Sequence, residues 1–131
     1  GPGTTINNGA VMISDGPGIA IGRDSLVGPS VQIYDTDFHP IDRSAHDGAT
    51  RKGAVRIGDR VFIGTGVTIC KGVSIGDGSV VGAGSVVTSD VPPNSVAAGN
   101  PCRVVGPTIV SEELAEPAGT IGFSTEPERI R

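Results

Sequence analysis

The chain of 131 residues carries a formal net charge of −4, and aromatic residues make up only 3% of it. This length suits a single domain, the acidic balance disfavours a nucleic-acid partner, and a core has to be built from Val, Ile and Ala. No apolar run is long enough for a membrane span or a signal peptide, so we expect a cytoplasmic protein.

Residues 1–33 contain the first and less regular part of a six-residue repeat. The segment INNGAV fits the repeat, SDGPG at 14–18 interrupts it, and Ile21 restarts it in IGRDSL. Because the chain opens inside the repeat, we expect that an N-terminal portion is missing or very short.

Residues 34–54 contain no hexad and are polar, although strong repeats bound them on both sides. This pattern predicts a loop that leaves the repeat, and such loops often carry function. His39 is the residue near its start whose ordinary pKa suits a general base near neutrality. Three carboxylates around it could hold its imidazole in one tautomer: Asp35, Asp37 and Asp42. The residues alone leave open that His39 is a solvated loop side chain, as we expect for His46.

The repeat is strongest in residues 55–91, where six hexads follow one another from position 57. Each opens with an aliphatic residue: Ile57, Ile63, Ile69, Ile75, Val81 and Val87. A second apolar or small residue follows four positions later: Val61, Val67, Val73, Ser79, Ser85 and Val91. A helix would advance about 600° per hexad and could not keep both sets on one side. Short extended segments with a turn at each Gly satisfy the pattern.

If three hexads close one coil, residues 57–74 and 75–92 each form a coil, and successive coils pair as parallel strands. The sequence therefore predicts an all-β protein, a parallel β-helix. We expect this domain to span residues 1–105 and a C-terminal tail to span 106–131.

The hexads, the loop sequence DFHPID and the run IGDGSVVGAGSVVTSDVPPNSVAAGNPCRVV resemble the hexapeptide-repeat acetyltransferases over residues 4–105. The most similar branch comprises the maltose, galactoside and nodulation-type sugar O-acetyltransferases. The resemblance implies a left-handed β-helix and a homotrimer with active sites between adjacent prisms. It also implies transfer of acetyl from acetyl-CoA to a hydroxyl of a small sugar-type or polysaccharide-precursor acceptor.

On the acceptor side, the resemblance implies three residues. His39 matches the catalytic histidine, which would act as the general base. Asn7 matches an asparagine that orients the acceptor and the histidine, with Asn8 as the alternative if the register differs by one. Asp15 matches an acidic position beside the acceptor.

The resemblance also implies that a set of residues along one cleft binds the donor, acetyl-CoA: Phe62, Thr65, Ala83, Thr88, Asn100 and Arg103. Phe62 and Thr65 match positions near the thioester and pantetheine, where many relatives have Trp instead of Phe. Asn100 matches a turn near the adenine, and Arg103 matches a basic position at the phosphates, which a guanidinium suits. From the residues alone, Thr65, Ala83 and Thr88 could instead serve simple corner packing. Arg103 could likewise be an ordinary surface charge.

Other functions remain open at this point. The same scaffold could acetylate serine, an amino sugar or an antibiotic, or it could be a non-catalytic solenoid. A gamma-class carbonic anhydrase needs three zinc-ligand histidines, whereas this chain has two. Cys70 and Cys102 also lack the spacing of a zinc site or a disulfide framework, so we expect no metal.

Overall fold

A computed structural model describes residues 1–39 and 50–108 of the chain. These residues form short β-strands joined by tight corners, as the Gly-containing hexads predict. The strands are β1 Thr5–Ile6, β2 Val11–Ile13, β3 Ile19–Ile21, β4 Leu26–Val27, β5 Gln32–Tyr34, β6 Val55–Ile57, β7 Phe62–Ile63, β8 Thr68–Ile69, β9 Ser74–Ile75, β10 Val80–Val81, β11 Val86–Val87, β12 Ser95–Gly99 and β13 Cys102–Pro107.

The strands build three sheets that form the faces of a triangular prism. Sheet A has the order β1-β4-β7-β10-β12-β13, sheet B has the order β11-β8-β5-β2, and sheet C has the order β3-β6-β9. Through β11 the chain visits the sheets in the cycle A, B, C, and the strands within these coils pair in parallel. The predicted fold class, an all-β left-handed parallel β-helix, is confirmed.

The register confirms the predicted coil of eighteen residues. Phe62 pairs with Val80, and Thr68 pairs with Val86. The first coil is longer, because Thr5 pairs with Leu26, twenty-one residues later. The three additional residues lie in the corner at 14–18, where the hexad pattern is interrupted.

The interior of the prism is formed by the two residue series that the repeat predicts. All six residues that open the hexads from position 57 are buried, and so are the six residues four positions later. Each inward aliphatic stacks on its equivalent in the neighbouring coil, at a strand spacing of about 4.8 Å. Burial of one such side chain contributes roughly 1.5–3 kcal/mol.

The corners stack into three edges, which we name by the sheets that they join. The A–B edge consists of residues 7–9, 28–30, 64–66 and 82–84. The B–C edge consists of residues 14–18, 70–72 and 88–90, together with the loop that follows β5. The C–A edge consists of residues 22–24, 58–60, 76–78 and 92–94.

The regular winding ends with a hairpin. Strand β12 pairs in parallel with β10, and β13 then folds back against β12 in the antiparallel direction, with Gly99 opposite Cys102. The predicted tail lies mostly outside the described residues, as do Asp42 and His46. In the part of the chain that the structure covers, no helix is long and apolar enough to cross a membrane.

Candidate active site on two edges of the prism

His39 lies at the end of a short stalk that leaves the B–C edge. The stalk has two arms, residues 35–39 and 51–53, which pair with each other. Thr36 and Lys52 form an antiparallel bridge. The N–H of Asp37 donates to the carbonyl of Arg51 at 3.0 Å, and the N–H of Gly53 donates to the carbonyl of Asp35 at 3.0 Å. These bonds tie the two ends of the loop together, and the exposed His39 side chain follows directly after them.

Asp35 is a fully buried carboxylate at the base of this stalk. It accepts hydrogen bonds from the Ser14 hydroxyl at 2.6 Å, the Asp15 N–H at 2.9 Å and the Gly18 N–H at 2.7 Å. The Ser14 hydroxyl is the main cause that holds the pKa of Asp35 below its usual value, against the opposing effect of burial. An ionised Asp35 therefore fixes the corner that presents Asp15.

The residues between Asp35 and His39 are also anchored. Lys71, from the next coil on the B–C edge, places its Nζ 3.0 Å from Oδ1 of Asp37. Phe38 adopts a positive φ of 68°, and its N–H donates to the Thr36 hydroxyl at 3.0 Å. The Phe38 ring meets Tyr34 edge-on, with centroids 5.2 Å apart. The direction in which the chain enters His39 is thus set by contacts with the prism.

Asp15 lies on the same edge as His39 and is exposed. Its carboxylate is 3.3 Å from Nζ of Lys52, in the returning arm of the stalk. Thr88 also belongs to this edge. It follows Val87, whose carbonyl accepts the N–H of Cys70 at 3.0 Å, so Thr88 stacks on Cys70 of the preceding coil.

The predicted donor-side residues Thr65 and Ala83 stack on the A–B edge. The N–H of Gly84 donates to the carbonyl of Thr65 at 2.8 Å, and both side chains are exposed. Phe62 points outward from sheet A in the same coil as Thr65, with 47% of its surface exposed. Leu26 and Val80 are its register neighbours in that sheet.

Asn7 and Asn8 lie at the far end of the A–B edge. Asn7 occupies the position held by Gly in later coils, and its Nδ2 donates to the carbonyl of Val27 at 3.0 Å. Asn8 is exposed and occupies the corner position that recurs as Pro29, Thr65 and Ala83. Of the two asparagines left open by the sequence, Asn8 thus shares its column with the donor-side residues.

Asn100 lies in the turn that joins β12 to β13, and Arg103 is the second residue of β13. The N–H of Gly99 donates to the Ser85 hydroxyl at 3.0 Å, which places this turn over the A–B edge. Both side chains are exposed, and Nη1 of Arg103 donates to the carbonyl of Cys102 at 3.0 Å. Ser85 was not singled out from the sequence, although Ser at a position held elsewhere by Val is a signal of a buried hydrogen bond.

The predicted site residues therefore fall into two sets. The A–B edge and the adjoining parts of sheet A carry the first: Asn7, Phe62, Thr65, Ala83, Asn100 and Arg103. The B–C edge carries the second: Asp15, His39 and Thr88. Sheet B separates the two edges, so one chain does not bring the sets together, and Thr88 does not share a cleft with Thr65 within the chain.

The two thiols are poor nucleophiles near neutrality. Desolvation is the main cause that raises the pKa of both Cys70 and Cys102. Across residues 1–39 and 50–108, no group of three or more His, Cys, Asp or Glu side chains is arranged to hold a metal ion.

Comparisons with known proteins agree with this architecture. Residues 54–89 match the family model described as the hexapeptide repeat of succinyl-transferase. Nodulation protein L of Rhizobium meliloti is 49% identical over 96 residues, which cover 72% of this chain and 52% of that protein. Galactoside O-acetyltransferase of Escherichia coli is 44% identical over 96 residues, which cover 72% of this chain and 47% of that protein.

Among solved structures, a hexapeptide-repeat-containing acetyltransferase of Vibrio cholerae, complexed with acetyl-CoA, superposes with a TM-score of 0.75. It is 41% identical, and the match covers 82% of this chain and 58% of that chain. The chain spans about half the length of the curated relatives that it matches. From its repeat, its prism and these relatives, the chain belongs to the hexapeptide-repeat acetyltransferase family.

Proposed function

We propose that this chain forms the catalytic unit of an acetyl-CoA-dependent O-acetyltransferase that acts on a hydroxyl of a sugar or polysaccharide-precursor acceptor. The observation that carries the proposal is the division of the site residues between the two edges of sheet B. The B–C edge presents a candidate base on an anchored stalk. The A–B edge presents small corner residues, an exposed aromatic ring and, at its end, an arginine.

A homotrimer would join the two half-sites. In a ring of three prisms whose B sheets face the threefold axis, the B–C edge of each prism lies beside the A–B edge of the next. The outer surface of sheet B carries Val11 and Ile13, which are 41% and 40% exposed in the single chain. Exposed apolar side chains on a flat face are typical of a surface that a partner covers.

The base in this proposal is His39. Its imidazole takes the proton from the acceptor hydroxyl as the oxygen attacks the thioester carbonyl of acetyl-CoA. The carbon–sulfur bond then breaks, the acetyl group stays on the acceptor oxygen, and the imidazolium returns its proton to the departing thiolate. The raised pKa of Cys70 keeps its thiol protonated near neutrality, which supports direct transfer rather than an acyl-cysteine.

The A–B edge would bind the donor. Thr65 and Ala83 are small and exposed, so a pantetheine arm can run along this edge within reach of backbone groups. Phe62 would form an apolar wall near the thioester, and Asn100 and Arg103 would meet the nucleotide, where a guanidinium suits phosphate. Thr88 would contribute from the B–C edge of the adjacent copy.

Two residues would meet the acceptor. Asp15 lies on the edge that carries His39, in the corner that Asp35 holds in place. The corner register favours Asn8 over Asn7 as the asparagine that faces the acceptor, since the Asn7 amide already binds the Val27 carbonyl. The cytoplasmic location stays a prediction.

The test is acetyl-CoA turnover, followed by release of free thiol, with a panel of sugars and of amines. The wild-type chain should turn over at least one sugar, and His39→Ala should lower the rate roughly 10²- to 10⁴-fold. His46→Ala is the matched control and should retain activity. Normal turnover by His39→Ala with every accepted sugar would show that another group is the base, and preference for amines would replace the proposed acceptor class.

A further inference from the structure

Two serines interrupt the inward-facing series of valines near the end of the prism. Val61, Val67 and Val73 are followed at the same hexad position by Ser79 and Ser85, which are 0% and 1% exposed. A buried hydroxyl destabilises a fold unless it is hydrogen bonded. These two side chains therefore need partners inside the prism.

The Ser85 hydroxyl joins the A–B edge to the hairpin. It donates to the carbonyl of Gly82 at 2.7 Å and accepts the N–H of Gly99 at 3.0 Å. One buried hydroxyl thus connects the corner that carries Ala83 with Gly99, the residue directly before Asn100.

Ser79 makes the corresponding contacts on a different edge. Its hydroxyl donates to the carbonyl of Pro92 at 2.7 Å and accepts the N–H of Ser95 at 3.1 Å. Pro92 begins the last corner of the C–A edge and Ser95 directly follows this corner. The C–A edge carries none of the proposed site residues. The two serines are therefore equally buried, and each hydroxyl donates one hydrogen bond and accepts one. Of the two, only Ser85 supports the A–B edge, where the donor would bind.

The chain needs such a contact because the regular corners of the A–B edge end after residue 84. Lower on the A–B edge, each corner is held by the next one, as in the bond from Gly84 N–H to the Thr65 carbonyl. Above Ala83 the chain forms the hairpin turn instead of another corner. A side-chain hydroxyl then supplies the link that a further coil would have supplied.

We propose that Ser85 is the positioning residue for the nucleotide end of acetyl-CoA. Its hydroxyl fixes the turn between β12 and β13 over the A–B edge, so that Asn100 in the turn and Arg103 just after it continue the line of Thr65 and Ala83. This inference rests on the proposed acetyl-CoA chemistry. It predicts that loss of the hydroxyl weakens recognition of the nucleotide and leaves recognition of the acetyl-pantetheine arm unchanged.

The experiment compares acetyl-CoA with S-acetylpantetheine, a donor that lacks the nucleotide, using the best acceptor of the wild-type chain. Ser85→Ala should raise KM for acetyl-CoA by about 5- to 30-fold, the effect of one lost buried hydrogen-bond link, with kcat nearly unchanged. KM for S-acetylpantetheine should stay at its wild-type value. Ser79→Ala should lower Tm about as much as Ser85→Ala does, and it should leave both KM values unchanged.

A second pair of variants keeps the test decisive if Ser85→Ala does not fold. The same hexad position accepts Val in the coil below, so Ser85→Val and Ser85→Thr have matched shapes and differ by the hydroxyl. Ser85→Thr should retain the wild-type preference for acetyl-CoA, and Ser85→Val should lose it.

Three results would overturn the inference. The first is that Ser85→Ala and Ser85→Val keep the wild-type preference for acetyl-CoA over S-acetylpantetheine, and the second is that KM rises equally for both donors. The third is that Ser79→Ala also loses the preference for acetyl-CoA. Failure of the wild-type chain to use or bind acetyl-CoA would instead refute the proposed function.

Discussion

Nζ of Lys71 lies 3.0 Å from Oδ1 of Asp37, and this ion pair connects the third coil of the prism to the stalk that carries His39. The two side chains are 30% and 21% exposed, so solvent screens the pair less than an open surface pair. Asp37 precedes His39 by two residues. The pair therefore restrains the segment that delivers the proposed base.

Lys71→Met should lower kcat by roughly 3- to 10-fold, because a loosened stalk spends less time with the imidazole in a reactive position. The fold should remain intact, since Lys71 lies outside the core. Steady-state kinetics with saturating donor measure the effect. Arg23→Met is the matched control, as Arg23 pairs with Asp24 at 3.5 Å on the exposed C–A edge. Equal losses in the two variants would argue against a role of the pair in positioning the stalk.

Asp35 should make stability depend on pH in the acid range. Its folded-state pKa is lowered, chiefly by the Ser14 hydroxyl, from an unfolded value of about 3.9. Its contribution is therefore complete above the unfolded pKa and is lost as the pH falls through the folded pKa.

Thermal unfolding of the wild type and Asp35→Asn at pH 6 and at pH 3 checks this expectation. Asp35→Asn should have the lower Tm at pH 6, because an amide cannot replace all three accepted hydrogen bonds. The difference in Tm should shrink at pH 3. A difference that stays constant between the two pH values would show that the charge of Asp35 contributes nothing to the corner at 14–18.

Adjacent residues in one strand should respond in opposite ways to the same substitution. Ile63 is fully buried and Phe62 is 47% exposed, although both belong to β7. Ile63→Asp should unfold the prism, because an unpaired inward charge costs several kcal/mol. Phe62→Asp should keep the fold. Circular dichroism and the free energy of unfolding distinguish these outcomes, and a folded Ile63→Asp variant would refute the repeat register.

The sequence predicts the prism well because its period fixes the register. Once Ile57 and Ile63 are identified as equivalent inward positions, the coil length and the core follow from the repeat. The corner at 14–18 is predictable in the same way, because the interruption of the hexads in the sequence corresponds to additional residues at this corner of the prism.

The site is less predictable, because its contacts join distant segments. The partners of Asp35 lie in the preceding coil, and the partner of Asp37 lies in the following one, so neither follows from the loop sequence. The choice between Asn7 and Asn8, which are adjacent in the sequence, also depends on which of them occupies the corner position in the structure. By contrast, the repeat itself places Thr65 and Thr88 on different edges, since 23 residues separate them whereas equivalent corners are eighteen residues apart.

The central claim is that an active site forms only where two copies of the chain meet. His39→Ala removes the base from the B–C edge, and Ala83→Trp would block the donor groove on the A–B edge. Each variant alone should be inactive, and both substituted side chains are exposed, so the prism should tolerate them.

Refolding an equal mixture of the two variants tests the claim directly. If the sites lie between copies, random mixed trimers should recover about a quarter of the wild-type activity, because about a quarter of the interfaces combine an intact B–C edge with an intact A–B edge. A mixture as inactive as its separate components, although mixed oligomers form, would contradict the account.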